Sequence, residues 1–138
     1  MAEKRAVVTI DGPSGAGKST ISRQLAARLH FTYLDTGAMY RAVGFKVREV
    51  GLDLDNEAAR TALPGLLNDI EIGLAPSASP DEETRVFVNG QEVSAAIRTA
   101  EMGMVASRVS AERVVREKLT EMQRRLGAKG GVVRVRVT

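Results

Sequence analysis

The sequence predicts an α/β fold, with an αβα core around a parallel sheet and a small antiparallel β insertion. Two observations carry this prediction. A β-branched run, Ala6–Ile10, is followed by a glycine-rich loop and then by a segment with helical periodicity. In the middle of the 138 residues, two segments alternate apolar and polar side chains with a period of two. We expect a single domain, because a chain of this length can bury one core.

The first strand and the loop after it form the clearest pattern. Ala6–Ile10 is typical of a buried parallel strand, and residues 12–20, GPSGAGKST, match the spacing of a phosphate-binding loop. Main-chain N–H groups can wrap a phosphate where glycines supply turn angles that bulkier residues avoid. Lys18 adds a positive charge for the outer phosphates, and the Ser19 hydroxyl is placed to hold magnesium. The loop predicts an ATP or GTP site made of Gly12, Pro13, Ser14, Gly15, Ala16, Gly17, Lys18, Ser19 and Thr20.

A helix and a second strand should follow the loop. Ile21, Leu25 and Leu29 recur at i, i+4 and i+8 and predict one apolar stripe on that helix. Phe31–Leu34 is the expected second strand. The resulting βαβ unit favours a parallel sheet.

Two further helices are predicted before the β insertion. Asp35 or Thr36 can cap the first, which should end at Gly51. The second covers Asn56 to about Leu67, and Pro64 should break or bend it.

The β insertion is expected at about residues 69–93. Strands are predicted at Ile70–Leu74 and Arg85–Val88, and Asn89-Gly90 predicts a tight turn directly afterwards. From Thr99 onward the helical period returns.

The remaining segment predicts a last helix and one ambiguous element. Ser110 can cap this helix, whose apolar stripe comprises Val115, Leu119, Met122 and Leu126. The glycine cluster of residues 127–131 should end it. Residues 134–137 alternate like a strand, and an unstructured end is an equally valid interpretation.

The charge is unevenly distributed. The chain has 20 basic and 17 acidic residues, a net charge of +3, yet residues 98–138 hold 10 basic and 4 acidic side chains. That segment contains no aromatic residue that could stack on a base. We therefore favour a solvated helix face, or arginines that bind a phosphorylated small molecule, over a nucleic-acid partner. Because no apolar run approaches ~18 residues, we expect a soluble protein without a membrane partner. We expect a cytoplasmic location, with which the absence of cysteines is compatible.

The segment LDTGAMYR, residues 34–41, suggests a second ligand. It places Thr36, Tyr40 and Arg41 at the mouth of a strand and in the first turns of the next helix. A hydroxyl and an arginine there suit a phosphorylated molecule. Equally, Tyr40 could pack in the core while Arg41 is a surface charge.

Taken together, these motifs resemble the cytidylate kinase family over residues 6–133. The resemblance lies in TIDGPSGAGKST, LDTGAMYR, VNGQEVSAAIRT and residues 107–119. It implies a nucleoside-monophosphate-kinase-like core and a kinase of pyrimidine nucleotide metabolism. Members transfer the γ-phosphate of ATP to CMP or dCMP with Mg²⁺, and they use a monophosphate-binding insertion and a mobile lid.

The resemblance also assigns roles to residues. Thr36, Tyr40 and Arg41 would meet the monophosphate, with Lys18 and Arg41 supplying catalytic charge. Ser107 would help to select cytosine, and Arg116 would bind the monophosphate unless it is a plain helix-surface arginine. Within one incomplete kinase domain, 1–138, residues 1–35 would form the phosphate-loop core, 36–109 the monophosphate-binding region, and 110–138 a helix and the start of a core strand.

The match to the family pattern stops near Val133. An EGRD-like signature and the lid arginines have no counterpart in the final RVRVT. We therefore expect an N-terminal portion of the pattern, truncated at its C-terminus, with little or no turnover. It should be a monomer if complete, while the short chain could associate through an exposed sheet edge. The alternatives are an ATP-binding module without catalysis and another phosphate-loop small-molecule kinase.

Overall fold

A computed structural model describes residues 6–13 and 15–137, with only the backbone of Val137. The described residues fall into two compact units. The first unit contains residues up to Asp35, residues 74–85 and residues from 123 onward. The second unit contains residues 36–73 and 86–122. The fold class is α/β, as predicted.

Six helices and six strands make up the described chain. The helices are Lys18–Leu29 (α1), Thr36–Glu49 (α2), Glu57–Arg60 (α3), Leu63–Asp69 (α4), Ala100–Ser110 (α5) and Arg113–Lys129 (α6). The strands are Val7–Gly12 (β1), Thr32–Tyr33 (β2), Ile72–Ala75 (β3), Arg85–Val88 (β4), Gln91–Glu92 (β5) and Val132–Val137 (β6). A single 3₁₀ turn, Ala96–Arg98, precedes α5. None of these helices combines the length and the apolar character that a membrane span requires.

A three-stranded parallel sheet forms the centre of the first unit. Its order is β1-β6-β2, and β6 pairs with β1 from Val7↔Val132 to Gly12↔Val137. The predicted parallel sheet is therefore confirmed, although β2 has two residues rather than four. Residues 134–137 belong to a strand, which decides between the two interpretations of this segment.

Two burial predictions for the first unit are wrong. Strand β1 is not buried: its residues alternate between exposed and half-buried, because successive side chains point to opposite faces of the sheet and one face is uncovered. Among the described strands, β1 pairs only with β6 and lies at the sheet edge. The Ile21 stripe of α1 is not the packed face either, because Ile21 is 55% and Leu29 39% exposed. The buried residues of α1 are Lys18, Ser22 and Ala26. Small side chains on that face let the helix approach β6 closely.

The second unit is built mainly from helices. Its core includes Met39, Val43, Ile97, Val109, Val115 and Leu119, all fully buried. Helices α2 and α5 pack closely because Gly44 faces Val105: a Cβ atom at residue 44 would lie 3.0 Å from Val105 Cγ1. A small antiparallel sheet has the order β3-β4-β5.

Several local predictions for the second unit are confirmed. The predicted Asn56–Leu67 helix is broken as Pro64 requires, into α3 and α4, with Pro64 in the first turn of α4. Asn89 and Gly90 form the tight turn between β4 and β5 with φ angles of 49° and 84°. The helix predicted from Thr99 onward is present as α5, and Thr99 is its N-cap, since the Thr99 Oγ1 accepts the Met102 N–H at 3.1 Å.

The predicted Ser110 cap of the last helix is wrong. Ser110 is the final residue of α5, and its hydroxyl donates to the Ser107 carbonyl at 2.8 Å. A two-residue turn intervenes, and α6 begins at Arg113. The helix ends within the glycine cluster as expected, at Lys129, and Gly130 and Gly131 follow with φ angles of 75° and 68°.

Candidate functional site

The loop between β1 and α1 has the backbone that its glycines predict. Gly15 and Gly17 have φ angles of 83° and 78°, in the left-handed region that costs other residues free energy. Gly17 directly precedes α1, and the Ala16 N–H donates to the Pro13 carbonyl at 3.3 Å. Ser14, also predicted to bind phosphate, lies outside the described residues.

Lys18 lies across the start of this loop. It is 8% exposed, and its Nζ donates to the Pro13 carbonyl. A Cβ atom at Gly12 would lie 3.2 Å from Lys18 Cδ, so residue 12 must stay small for the lysine stem to pass. The ammonium group has three N–H donors, and the Pro13 carbonyl uses one of them.

The first turn of α1 is suited to an anion. It contains no acidic residue, and Gly17 supplies no side-chain cap for the main-chain N–H groups. Ser19 and Thr20 are both exposed in this turn. No group of three or more His, Asp or Glu side chains that could hold a metal ion occurs in the described part of the chain.

A polar cavity of about 250 Å³ lies beside the next turn of α1. It is lined by Thr20, Arg23 and Gln24 together with residues 80–83. Arg23 Nη1 lies 3.6 Å from Glu83 Oε1, and Asp81 and Glu82 add further negative charge. Because acidic side chains outnumber the single arginine, this cavity does not favour phosphate.

An ion pair that the sequence did not predict joins the two strands next to the loop. Arg136 Nε lies 2.7 Å and Nη2 3.2 Å from the two carboxylate oxygens of Asp11. Hydrogen bonding to Asp11 and the charge of Asp11 raise the pKa of the Arg136 guanidinium above its ordinary value. The alternation of residues 134–137 was the only available signal, and it did not identify the partner strand.

Arg41, in the second unit, is held by main-chain carbonyls. Its Nη1 donates to Ile97 O at 2.8 Å and to Thr99 O at 3.0 Å. The guanidinium passes over Gly103, where a Cβ atom would lie 2.8 Å from Nη2. Arg41 is half-buried and is not the plain surface charge considered above.

The other predicted acceptor residues lie on α2, α5 and α6. Thr36 is exposed and Tyr40 half-buried, one turn apart on α2. Ser107 is exposed on α5. Arg116 is exposed on α6, and its Nη1 donates to the carbonyls of Ser110 and Ala111, both at 3.0 Å.

The structure does not bring Arg41 and Arg116 to one point. Each is held through Nη1 by two carbonyl oxygens, and the two carbonyl pairs lie at opposite ends of α5. Helix α5 has 11 residues. At about 1.5 Å of rise per residue, it is roughly 15 Å long. Both arginines could contact one phosphate only if at least one of them left its carbonyls.

Comparison with known proteins decides the family. A sequence model of the cytidylate kinase family matches residues 8–135. The chain belongs to the cytidylate kinase family. The resemblance predicted from the motifs is thereby confirmed.

Similar proteins include both separate and fused cytidylate kinases. The cytidylate kinase of Citrifermentans bemidjiense is 46% identical over 95% of this chain and 54% of that protein. That of Geobacter sp. (strain M21) is also 46% identical, over 95% and 54% of the two chains. The bifunctional pantoate ligase/cytidylate kinase of Gloeobacter violaceus is 46% identical over 95% of this chain and 25% of that protein. The chain thus spans about half the length of the separate cytidylate kinases it matches.

Two further features of this member of the cytidylate kinase family could not be predicted from its sequence. Gly103 interrupts a helical segment, which signals a close approach but does not name the Arg41 guanidinium as the neighbour. The carbonyl partners of Arg41 and Arg116 leave no signal at all, because every residue carries a carbonyl group.

Proposed function

We propose that the chain binds ATP at residues 12–20 and CMP or dCMP in the second unit, for transfer of the γ-phosphate of ATP to the monophosphate, giving CDP or dCDP. The observation that carries this proposal is the loop geometry in a member of the cytidylate kinase family. Membership favours a cytidine nucleotide over other acceptors.

For ATP, the donors would be main-chain N–H groups of the loop and the Lys18 ammonium. The left-handed Gly15 and Gly17, and the room that Gly12 leaves for Lys18, fit such a ligand. The Ser19 hydroxyl would be the protein ligand of Mg²⁺, which when bound neutralises phosphate charge. The first turn of α1 adds the positive end of a helix dipole.

For the acceptor, we propose residues 36–109 as the monophosphate-binding region, with Arg116 added from α6. Arg41 retains N–H groups beyond those that its two carbonyls occupy, so it can bind a phosphate while staying anchored. Thr36 and Tyr40 would add hydroxyl donors on the same helix. Ser107 would face the base and favour cytosine.

The proposed phosphoryl transfer requires little acid–base catalysis. The attacking oxygen of a nucleoside monophosphate is already ionised, so no general base has to remove a proton. The protein contributes alignment and fixed positive charge from Lys18 and Arg41.

We also propose a cytoplasmic location, because ATP and nucleoside monophosphates are metabolites of that compartment.

Binding and transfer should be measured separately on the 138-residue chain. After circular dichroism has established that the protein is folded, titration calorimetry with ATP and with CMP tests the two sites. A coupled assay with Mg-ATP and CMP then detects ADP. CMP-dependent ADP formation would support the kinase proposal for this chain, and ATP binding without it would support a nucleotide-binding module. Preference for UMP or AMP over cytidine nucleotides would contradict the proposed acceptor.

A further inference from the structure

A cluster of alternating charges joins the corner between α5 and α6 to α3 and the residues just before it. Its members are Asp55, Arg60, Arg108 and Glu112, called here the Arg108 cluster. Arg108 Nη2 donates to Asp55 Oδ1 at 3.1 Å and to the Leu54 carbonyl at 2.9 Å, and Nη1 reaches Glu112 Oε1 at 3.4 Å. Arg60 Nη2 lies 3.0 Å from Glu112 Oε2. All these contacts are inside the second unit.

Glu112 is the central member of the Arg108 cluster. Its side chain is 12% exposed and contacts an arginine through each carboxylate oxygen. Its own carbonyl accepts the N–H groups of Val115 at 3.1 Å and Arg116 at 3.2 Å, and so starts α6. Fixing the Glu112 side chain therefore also fixes the direction in which α6 leaves the corner.

The same corner carries two predicted substrate residues. Ser107 directly precedes Arg108 on α5, and its carbonyl accepts the Ser110 hydroxyl at 2.8 Å. The Arg116 side chain extends from α6 towards the corner and donates to the carbonyls of Ser110 and Ala111. A change in the angle of the corner would therefore move Ser107 and Arg116 relative to each other.

We propose that Arg108 and Glu112 are positioning residues for acceptor binding, because they fix the α5–α6 corner on which Ser107 and Arg116 depend. This inference rests on the proposed function. Hydrogen bonds between charged groups in one network reinforce each other, and Glu112 is well shielded from water. The backbone carbonyl of Leu54 makes the arrangement directional, because the planar guanidinium of Arg108 bonds to it and to two carboxylates through N–H groups of fixed direction.

The test compares nucleotide affinity with stability. We choose Arg108→Gln, which removes the charge and keeps much of the stem, and Asp55→Asn, a milder change at an exposed side chain. Arg113→Gln is the matched control: it removes one arginine at the same corner, whose partner is Glu117 on the same helix and whose side chain is 84% exposed. Each protein is titrated with CMP, UMP and ATP, and its melting temperature is measured.

Arg108→Gln should weaken CMP binding about fivefold and lower the CMP-to-UMP affinity ratio about threefold, a loss within the range of a partly shielded ion network. Asp55→Asn should have a smaller effect in the same direction, and the double variant should lose less than the sum of the two. ATP affinity should remain within twofold. Arg113→Gln should change neither ratio nor affinity.

Three outcomes would overturn the inference in different ways. If the unchanged chain binds ATP but neither CMP nor UMP, the proposed function is wrong, and so is this inference, because it rests on the proposed function. If the unchanged chain binds CMP and Arg108→Gln keeps both the CMP affinity and the CMP-to-UMP ratio, only the positioning role fails. A lower melting temperature with an unchanged ratio would likewise reduce the Arg108 cluster to a structural role.

Discussion

The loop of the first unit and the arginine sites of the second differ in what positions the groups that are proposed to bind phosphate. The loop is defined by the main chain: Gly15 and Gly17 have left-handed angles, and the lysine beside them is buried. The arginine sites are defined by side chains, because Arg41 and Arg116 extend to carbonyl oxygens of other segments. The first arrangement can change little without refolding the turn. The second can change by exchanging one hydrogen-bond acceptor for another.

This contrast predicts where each unit is sensitive. In the loop, the N–H donors are fixed in number and direction, so the lysine charge is the main adjustable contribution to ATP affinity. In the second unit, a phosphate would either take N–H groups that the carbonyls leave unused or replace a carbonyl partner. We therefore expect substitutions in the two units to affect different ligands.

The largest effect is expected from Lys18→Met. Methionine keeps most of the stem that passes Gly12 but removes the ammonium group. A hydrogen bond to a charged group contributes about 1.5–3 kcal/mol, so ATP affinity should fall roughly 100-fold. Calorimetry with ATP measures the loss, and CMP affinity should stay within twofold.

Arg23→Gln is the control for Lys18→Met, because it removes a cation from the same helix, where Arg23 faces Glu83. It should leave ATP affinity nearly unchanged. If both variants bound ATP equally well, charge at residue 18 would be unimportant and the main chain alone would hold the phosphates.

Arg41→Ala should have the next largest effect, and on the other ligand. Removing the guanidinium should weaken CMP about 10- to 50-fold, the lower part of the range for a charge-assisted contact, and ATP less than twofold. Arg48→Ala is the matched control on the same helix, since Arg48 is exposed and pairs with Glu101 at 2.6 Å. Equal losses of CMP and ATP affinity in Arg41→Ala would contradict the assignment of separate ligands to the two units.

The contrast also explains what the sequence could predict. Unusual backbone angles favour particular residue types. The glycine loop, the Asn89-Gly90 turn and the Pro64 break could therefore all be located from the sequence. A carbonyl partner is not marked by any residue type, so the hydrogen bonds that anchor Arg41 could not be predicted from the sequence. Helix periodicity gave the wrong packed face for α1, because the close approach to the sheet selects small side chains rather than Ile21. The Arg108 cluster joins residues too distant in sequence to be paired from one chain.

The smallest predicted effect concerns the buried face of α1, one turn beyond Lys18. The Ser22 hydroxyl is fully buried, and no partner for it occurs among the described residues. An unsatisfied buried hydroxyl costs about 1–3 kcal/mol. Ser22→Ala should therefore raise the free energy of unfolding by about 1 kcal/mol, with ATP affinity unchanged. Chemical denaturation and ATP calorimetry measure the two quantities.

Ser19→Ala is the control for Ser22→Ala. Both substitutions introduce alanine near the start of α1 and so change helix propensity alike. Because Ser19 is exposed, only Ser22→Ala removes a buried hydroxyl. Ser19→Ala should leave stability nearly unchanged and weaken the binding of Mg-ATP. A loss of stability in Ser22→Ala would mean that the hydroxyl has a partner after all. A serine hydroxyl within a helix can donate to the carbonyl four residues earlier, which here belongs to Lys18. In that case the turn carrying Lys18 would be held by a side chain as well as by the main chain, and the contrast between the two units would be weaker.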